Sequence, residues 1–261
     1  MKKIYNFACL GDSITSDEVS GIGTLVCKKL DMNLIGNFAH GNATLSDWYD
    51  GEKLLTTVNT DIVPDEWYHD NTLSNQVFSL LQTTTKAGKN ISWVHPIVGE
   101  CSESLSGVGD KEIQPDIIYI AIGINDGKLN LHTSVFDDCR EVFCLGYEEL
   151  KRNGMASSLR WAIETLRSAY PNALVFVASP LQTNTGYEPK AFSANVVTTK
   201  REIIRKVCAY CSVHFIDSYA ESGFSSMLAA FHGDGVHPDD IYKQKIASFV
   251  AHKIKAAIYE A

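Results

Sequence analysis

The chain has no stretch of about 18 apolar residues, the length a helix needs to cross a bilayer, so a spanning segment is not expected. It is short of positive charge, with 23 Lys and Arg against 31 Asp and Glu, a net charge of −8 and a pI near 5.5. Nucleic acids and anionic membranes are both gripped through clustered cations, so this balance argues against either as a partner. The seven cysteines are odd in number and scattered, which fits reduced thiols better than a disulfide framework. Cys208-Ala209-Tyr210-Cys211 has half-zinc-site spacing, but no second CxxC accompanies it and it falls on an apolar helical stripe. These two thiols are therefore expected to pack in the core. Internal repeats and linker-like Pro/Gly/Ser segments are also missing, so one domain spanning 1–261 is expected.

What is present is ordinary for a globule: 45% hydrophobic and 21% charged residues over 261 positions, enough to bury a core without staples. Five apolar runs read as strands, at roughly 4–10, 33–38, 116–122, 173–178 and 213–217. Between them, apolar residues recur at helical spacing: Val19, Ile22, Leu25, Val26 and Leu30; then Leu159, Ala162, Ile163 and Leu166; then Val196, Val197, Ile203, Ile204 and Val207. A last helix is expected from about Pro238 to Tyr259. Strands alternating with helices imply an α/β fold in which a parallel sheet is covered on both faces. Two stretches interrupt the rhythm, at about 45–100 and 127–157. The first holds Trp48-Tyr49, Trp67-Tyr68-His69, Trp93 and a short helical piece at 73–81; the second holds Phe136, Arg140, Phe143 and Tyr147. Long inserts in an α/β domain are usually rims or lids, although single aromatics in them more often serve to bury the insert.

Three motifs carry chemistry. Gly11-Asp12-Ser13 closes the first strand, which lifts a serine hydroxyl onto the carboxyl edge of the sheet. Ile124-Asn125-Asp126 follows Gly123 at the end of the third strand, and Asp234-Gly235-Val236-His237-Pro238 precedes the last helix. In this order they resemble the blocks of the SGNH (GDSL-type) hydrolase superfamily of esterases and lipases, from residue 4 to about residue 255. Asn37-Phe38-Ala39-His40-Gly41-Asn42-Ala43-Thr44 is similar to that family's glycine block, with Gly41-Asn42 where many relatives have two small residues. The resemblance implies a three-layer α/β/α sandwich with a flavodoxin-like strand order of 2-1-3-4-5. Met1-Lys2-Lys3 is basic, but the apolar stretch behind it is only seven residues long, includes Asn6 and runs straight into the Ser13 motif, and cleavage there would remove the nucleophile. A cytoplasmic protein is the expectation.

A serine hydroxyl needs a base within hydrogen-bond reach to attack a carbonyl at neutral pH, and histidine is the side chain suited to that task. His237 is the candidate base, and Asp234, three residues earlier, can hold its imidazole in the productive tautomer. His232 is a rival base without a partner at matching spacing. The developing oxyanion needs donors. Those expected are the Ser13 N–H at a helix N-terminus, the Gly41 N–H (Asn42 if the glycine block is shifted) and the Asn125 side-chain amide. Asp12 and Asp126 are expected to accept backbone N–H bonds in their own loops, and Pro238 to occupy the first position of the last helix.

The leading expectation is a serine esterase for short-chain esters, with acetylated carbohydrates or other small esters as substrate, no cofactor and no metal. A lipase, lysophospholipase or thioesterase acting on longer chains is the alternative. A metal-dependent phosphoesterase could draw on Asp12, Asp17, Asn125, Asp126, Asp234 and His237, yet the sequence has no HxH or DxH pair. The G-x-S-x-G elbow of α/β-hydrolases is also missing, since Thr15 stands in its fifth position. A catalytically dead binding module would require a lost triad member, and none is lost.

Overall fold

Continuous apolar runs closed by Gly, Asn or Asp form the buried strands of a computed structural model that describes residues 3–47, 49–50, 53–54, 72–85, 90–95, 99–104, 112–127, 135–184, 190–227 and 234–260. Along the chain the elements are β1 (Asn6–Gly11), α1 (Ile22–Leu30), β2 (Asn33–Asn37), β3 (Tyr49–Asp50), β4 (Lys53–Leu54), α2 (Leu73–Thr84), β5 (Asn90–His95), β6 (Gly99–Ser104), β7 (Ile117–Ala121), α3 (Cys139–Cys144), α4 (Met155–Ala169), β8 (Leu174–Ala178), α5 (Ala194–Tyr210), β9 (His214–Ile216), α6 (Ser218–Glu221) and α7 (Asp240–Glu260). The main sheet has five strands in the order β2-β1-β7-β8-β9, every neighbouring pair parallel. Numbered within the sheet alone, that is 2-1-3-4-5. The strand runs read from the sequence thus fall where expected, within two residues at each end. The 45–100 insert adds two antiparallel hairpins, β3–β4 and β5–β6, and helix α2.

Strand periodicity sorts the core into two halves. Phe7, Cys9, Ile117, Tyr119, Phe176 and Ala178 point to one face, where they pack with Ile22, Leu25 and Val26 of α1 and Ile246, Val250 and Ile254 of α7. The alternate residues Ala8, Leu10, Ile118, Ile120, Val175 and Val177 point to the other, against Val77 of α2, Leu159 and Ile163 of α4 and Ile204 and Val207 of α5. A helix layer on each side completes the three-layer sandwich. Cys208 and Cys211 are buried in this second half, and burial raises both thiols, that of Cys211 to about 11.

Two helix starts differ from the sequence expectation. Val19 is 72% exposed and lies before α1, because Asp17 Oδ1 accepts the N–H groups of Val19 (2.8 Å) and Ser20 (2.6 Å) and holds the chain in a turn. Pro238 stands two residues ahead of α7, where Asp239 caps the helix by accepting the Tyr242 N–H at 2.8 Å. An aspartate satisfies one of the orphan donors of a first turn, whereas proline only avoids adding another.

Candidate active site

Ser13 stands on a turn that leaves the carboxyl end of β1. The Asp12 carbonyl accepts the N–H groups of Thr15 and Ser16, both at 2.9 Å, and Asp12 Oδ1 accepts that of Ile14 at 3.1 Å. This single turn is not the start of α1, which begins at Ile22, so Ser13 does not occupy a helix N-terminus as expected. The turn is tight enough to demand glycine before it: a Cβ on Gly11 would meet the Ala121 carbonyl oxygen and Thr15 Cβ, each at 2.6 Å. β2 ends at Asn37, and beyond it the buried Gln76 of α2 grips Gly11 in place of a neighbouring strand. Its Oε1 accepts the Gly11 N–H at 2.7 Å and its Nε2 donates to the Gly11 carbonyl at 2.8 Å. Nothing in the sequence pattern marked this glutamine.

The last motif meets the first across the whole chain. His237 Nε2 lies 2.7 Å from Ser13 Oγ, and His237 Nδ1 is hydrogen-bonded to Asp234 Oδ2. The other carboxylate oxygen, Asp234 Oδ1, accepts the N–H groups of Val236 (2.9 Å) and His237 (3.0 Å), so the motif folds back on its own acid. Partial burial works against the charge of Asp234, but these two N–H groups and the imidazole prevail and hold its carboxyl below the usual range. His232, the rival base, lies outside the described residues, as do Trp48, Trp67, Tyr68 and His69.

Several donors gather at the same edge. The backbone N–H groups of Ser13, Gly41 and Asn42 have no acceptor among the described residues. Asn42 has φ +61, in the left-handed region that asparagine tolerates better than other side chains, which explains how it can stand in a glycine block. Asn125 Nδ2 donates one hydrogen to the Ala43 carbonyl at 3.0 Å, tying the third block to the second. An amide nitrogen carries two hydrogens, and the second has no acceptor among the described residues. Asp126 completes the tie: its carboxylate accepts the N–H of Leu45 (2.8 Å) and both the N–H (3.0 Å) and hydroxyl (2.6 Å) of Ser46.

Asp12 accepts a backbone N–H within its own turn, as expected, whereas Asp126 takes its N–H bonds from Leu45 and Ser46 beside the glycine block and not from its own loop; both are buried. Burial pushes both carboxyls up, that of Asp12 to about 7. Among the described residues no three His, Cys, Asp or Glu side chains converge as metal ligands would. Side chains of the inserts pack against one another and the scaffold. Asp47 is fully buried and paired with Arg152 at 3.1 Å, Phe143 stacks on Tyr210 with centroids 4.2 Å apart, and the Tyr147 hydroxyl lies 2.7 Å from that of Thr165.

With this geometry in place, the chain was compared with known proteins. The model of the GDSL-like Lipase/Acylhydrolase family matches residues 9–241. No curated protein matches the sequence significantly. Among solved structures, a lipase/acylhydrolase from Enterococcus faecalis is 14% identical with a TM-score of 0.53, over 97% of both chains. A member of the lipolytic G-D-S-L family from Veillonella parvula is 14% identical with a TM-score of 0.52, over 95% of this chain and 96% of its own. An inhibitor-bound aryl esterase from M. smegmatis is 14% identical with a TM-score of 0.54, over 97% of this chain and 99% of its own. At such identities the likeness is one of fold.

Proposed function

This chain belongs to the GDSL-like lipase/acylhydrolase family and is a carboxylic ester hydrolase, and on that premise we propose that it cleaves short-chain esters, O-acetyl groups on carbohydrates or similar small esters foremost, through a Ser13–His237–Asp234 triad and a covalent acyl-enzyme. The observation that carries this reading is the 2.7 Å contact between Ser13 Oγ and His237 Nε2.

From that contact the mechanism follows in order. Ser13 Oγ attacks the ester carbonyl as His237 Nε2 removes its proton, and Asp234 keeps Nδ1 protonated and stabilises the imidazolium. Negative charge then gathers on the former carbonyl oxygen. It is met by the Ser13 N–H, the free hydrogen of the Asn125 amide and a backbone N–H of the Gly41–Asn42 turn, donors fixed before the reaction starts. The imidazolium gives its proton to the departing alcohol, leaving Ser13 acylated. A water molecule, deprotonated by His237, attacks the acyl group in turn and returns the serine.

The preference for short acyl groups rests on composition. Each buried CH₂ contributes about 0.8 kcal/mol only where it leaves water, so a long acyl chain requires a continuous apolar trough. The inserts interleave aromatics with Asp50, Asn59, Asp65, Asp70 and Arg140, which breaks any such run. A panel of p-nitrophenyl esters from acetate to palmitate, with acetylated sugars beside it, tests the substrate; a kcat/KM that climbs steadily to palmitate overturns the short-chain reading in favour of a lipase. Labelling by a fluorophosphonate at a serine other than Ser13 overturns the triad.

A further inference from the structure

Helix α5 turns an apolar stripe toward the sheet, and one position in that stripe is a lysine. Lys200 follows Val197 by three residues and precedes Ile203 and Ile204 by three and four, so helical spacing puts it on the buried face. It is indeed 0% exposed. A buried ammonium is tolerated only when hydrogen bonds and counter-charges replace its water, and here both are found. Lys200 Nζ donates to the Ile124 carbonyl at 2.6 Å and to the Ala191 carbonyl at 3.0 Å. The charged groups facing it are the carboxylates of Asp126, after β7, and Asp12, after β1, and the Phe192 ring centroid lies 5.8 Å away.

The first of those carbonyls matters most. The Ile124 C=O belongs to the peptide that ends in the Asn125 nitrogen, so a bond to it fixes the plane from which the Asn125 side chain departs. The loop is thereby pinned at three successive residues: Ile124 by Lys200, Asn125 by the Ala43 carbonyl and Asp126 by Leu45 and Ser46. The second carbonyl extends the tie. Ala191 adjoins Phe192, which packs with Ile124, Val197 and Val236 in a small apolar cluster, and Val236 is the neighbour of His237.

We infer that Lys200 is a positioning residue for the oxyanion site, its ammonium holding the Ile124–Asn125 peptide so that the free hydrogen of the Asn125 amide stays aimed at the developing charge. This rests on the reading of Asn125 as an oxyanion donor. Methionine would fill the space of lysine without the cost of a buried charge, so the charge calls for a reason, and the loop is the element it bonds. Burial lowers the lysine against the pull of Asp126 and Asp12, to about 8, so the hold weakens in mildly alkaline solution.

The test is a double-mutant cycle on a short-chain ester. Lys200→Met should lower kcat by roughly 10- to 100-fold with KM within about threefold, whereas in an Asn125→Ala background the same change should cost at most about twofold. A purely structural lysine would cost the same in both backgrounds, and that result overturns the inference. The pH profile supplies a second reading should Lys200→Met fail to fold. Wild-type kcat should fall above about pH 8, and Lys200→Arg, which keeps its charge, should lose that alkaline limb whatever its absolute rate. A limb unchanged in Lys200→Arg, or absent from the wild type, overturns the inference as well. Failure of the parent reading looks different: Ser13→Ala would stay active, or Ser13 would resist a fluorophosphonate in the wild type.

Discussion

Removing the Gln76 carboxamide should loosen the nucleophile's own strand. Gln76→Leu keeps the volume of the side chain nearly constant but deletes the bonds to the Gly11 N–H and carbonyl, at 2.7 and 2.8 Å. The carbonyl retains the His40 N–H at 3.1 Å, while the Gly11 N–H is left buried with no acceptor. Two net hydrogen bonds contribute about 0.5–1.5 kcal/mol each, and an orphaned buried donor adds a desolvation cost of about 1–3 kcal/mol, so a loss of roughly 2–6 kcal/mol is expected. In a chain of this size that lowers Tm by roughly 4–24 °C. Because Gly11 precedes the turn that carries Ser13, kcat should also fall by roughly tenfold or more from misplacement of the hydroxyl. Gln76→Glu sharpens the experiment: a carboxylate can accept from the Gly11 N–H but cannot donate to the carbonyl, whereas a protonated carboxyl can do both. Its deficit should therefore be small near pH 5 and grow toward pH 8, as the buried carboxyl is forced to ionise against a carbonyl oxygen. Urea unfolding at the two pH values, with kcat measured on the same samples, reads both effects. A Gln76→Leu variant within about 0.5 kcal/mol of wild type would refute the view that this side chain stands in for a missing strand.

Three further outcomes follow from the same geometry. Asn42→Gly should keep turnover within about threefold, while Asn42→Ala should lose roughly 1 kcal/mol to strain at positive φ and show lower kcat; equal activity in the two would mean that the left-handed turn is not used. Lys200 binds its proton less tightly when folded than unfolded, so between about pH 8 and 10.5 the unfolded chain carries the extra proton and stability should rise with pH. The gap corresponds to roughly 3 kcal/mol, and it should appear as a difference between wild type and Lys200→Met in urea unfolding at pH 7.5 and 10; parallel curves would count against the depressed lysine. Since the proposed chemistry needs only a serine, its base and N–H donors, EDTA should leave ester turnover unchanged, and inactivation reversed by added metal would remove the serine mechanism.

The sheet was legible because strands of a parallel sheet are buried on both faces and so appear as unbroken apolar runs; Ile117–Ala121 is the plainest. The motif residues were singled out by the resemblance of their blocks, taken in order, to those of the SGNH hydrolases, since Gly-Asp-Ser by itself is an ordinary turn sequence. What the pattern could not reveal depends on partners distant in sequence. Gln76 has its role because β2 stops at Asn37: the His40 N–H still reaches the Gly11 carbonyl, but no strand carbonyl is left for the Gly11 N–H. Lys200 did leave a trace, as a cation inside an apolar stripe, but its meaning needed Ile124, which lies 76 residues earlier. The beginning of α1 was misjudged because Val19 fits the helical spacing while Asp17 ties its N–H into a turn, a local bond that periodicity does not register.

Ser13 and His237 are 224 residues apart along the chain and 2.7 Å apart in space. Between them the strands β2, β7, β8 and β9 must all join β1 before α7 can settle against α1 and carry the imidazole over the hydroxyl. With the proposed triad, ester cleavage should be a late property of the folding chain, because bringing such distant segments together is the slow part of building a parallel sheet. In a refolding experiment, turnover should lag behind the recovery of helical signal. With the proposed triad, the same arrangement would give the ribosome an inert product for most of synthesis, since a chain halted anywhere before His237 would hold Ser13 with no base to arm it.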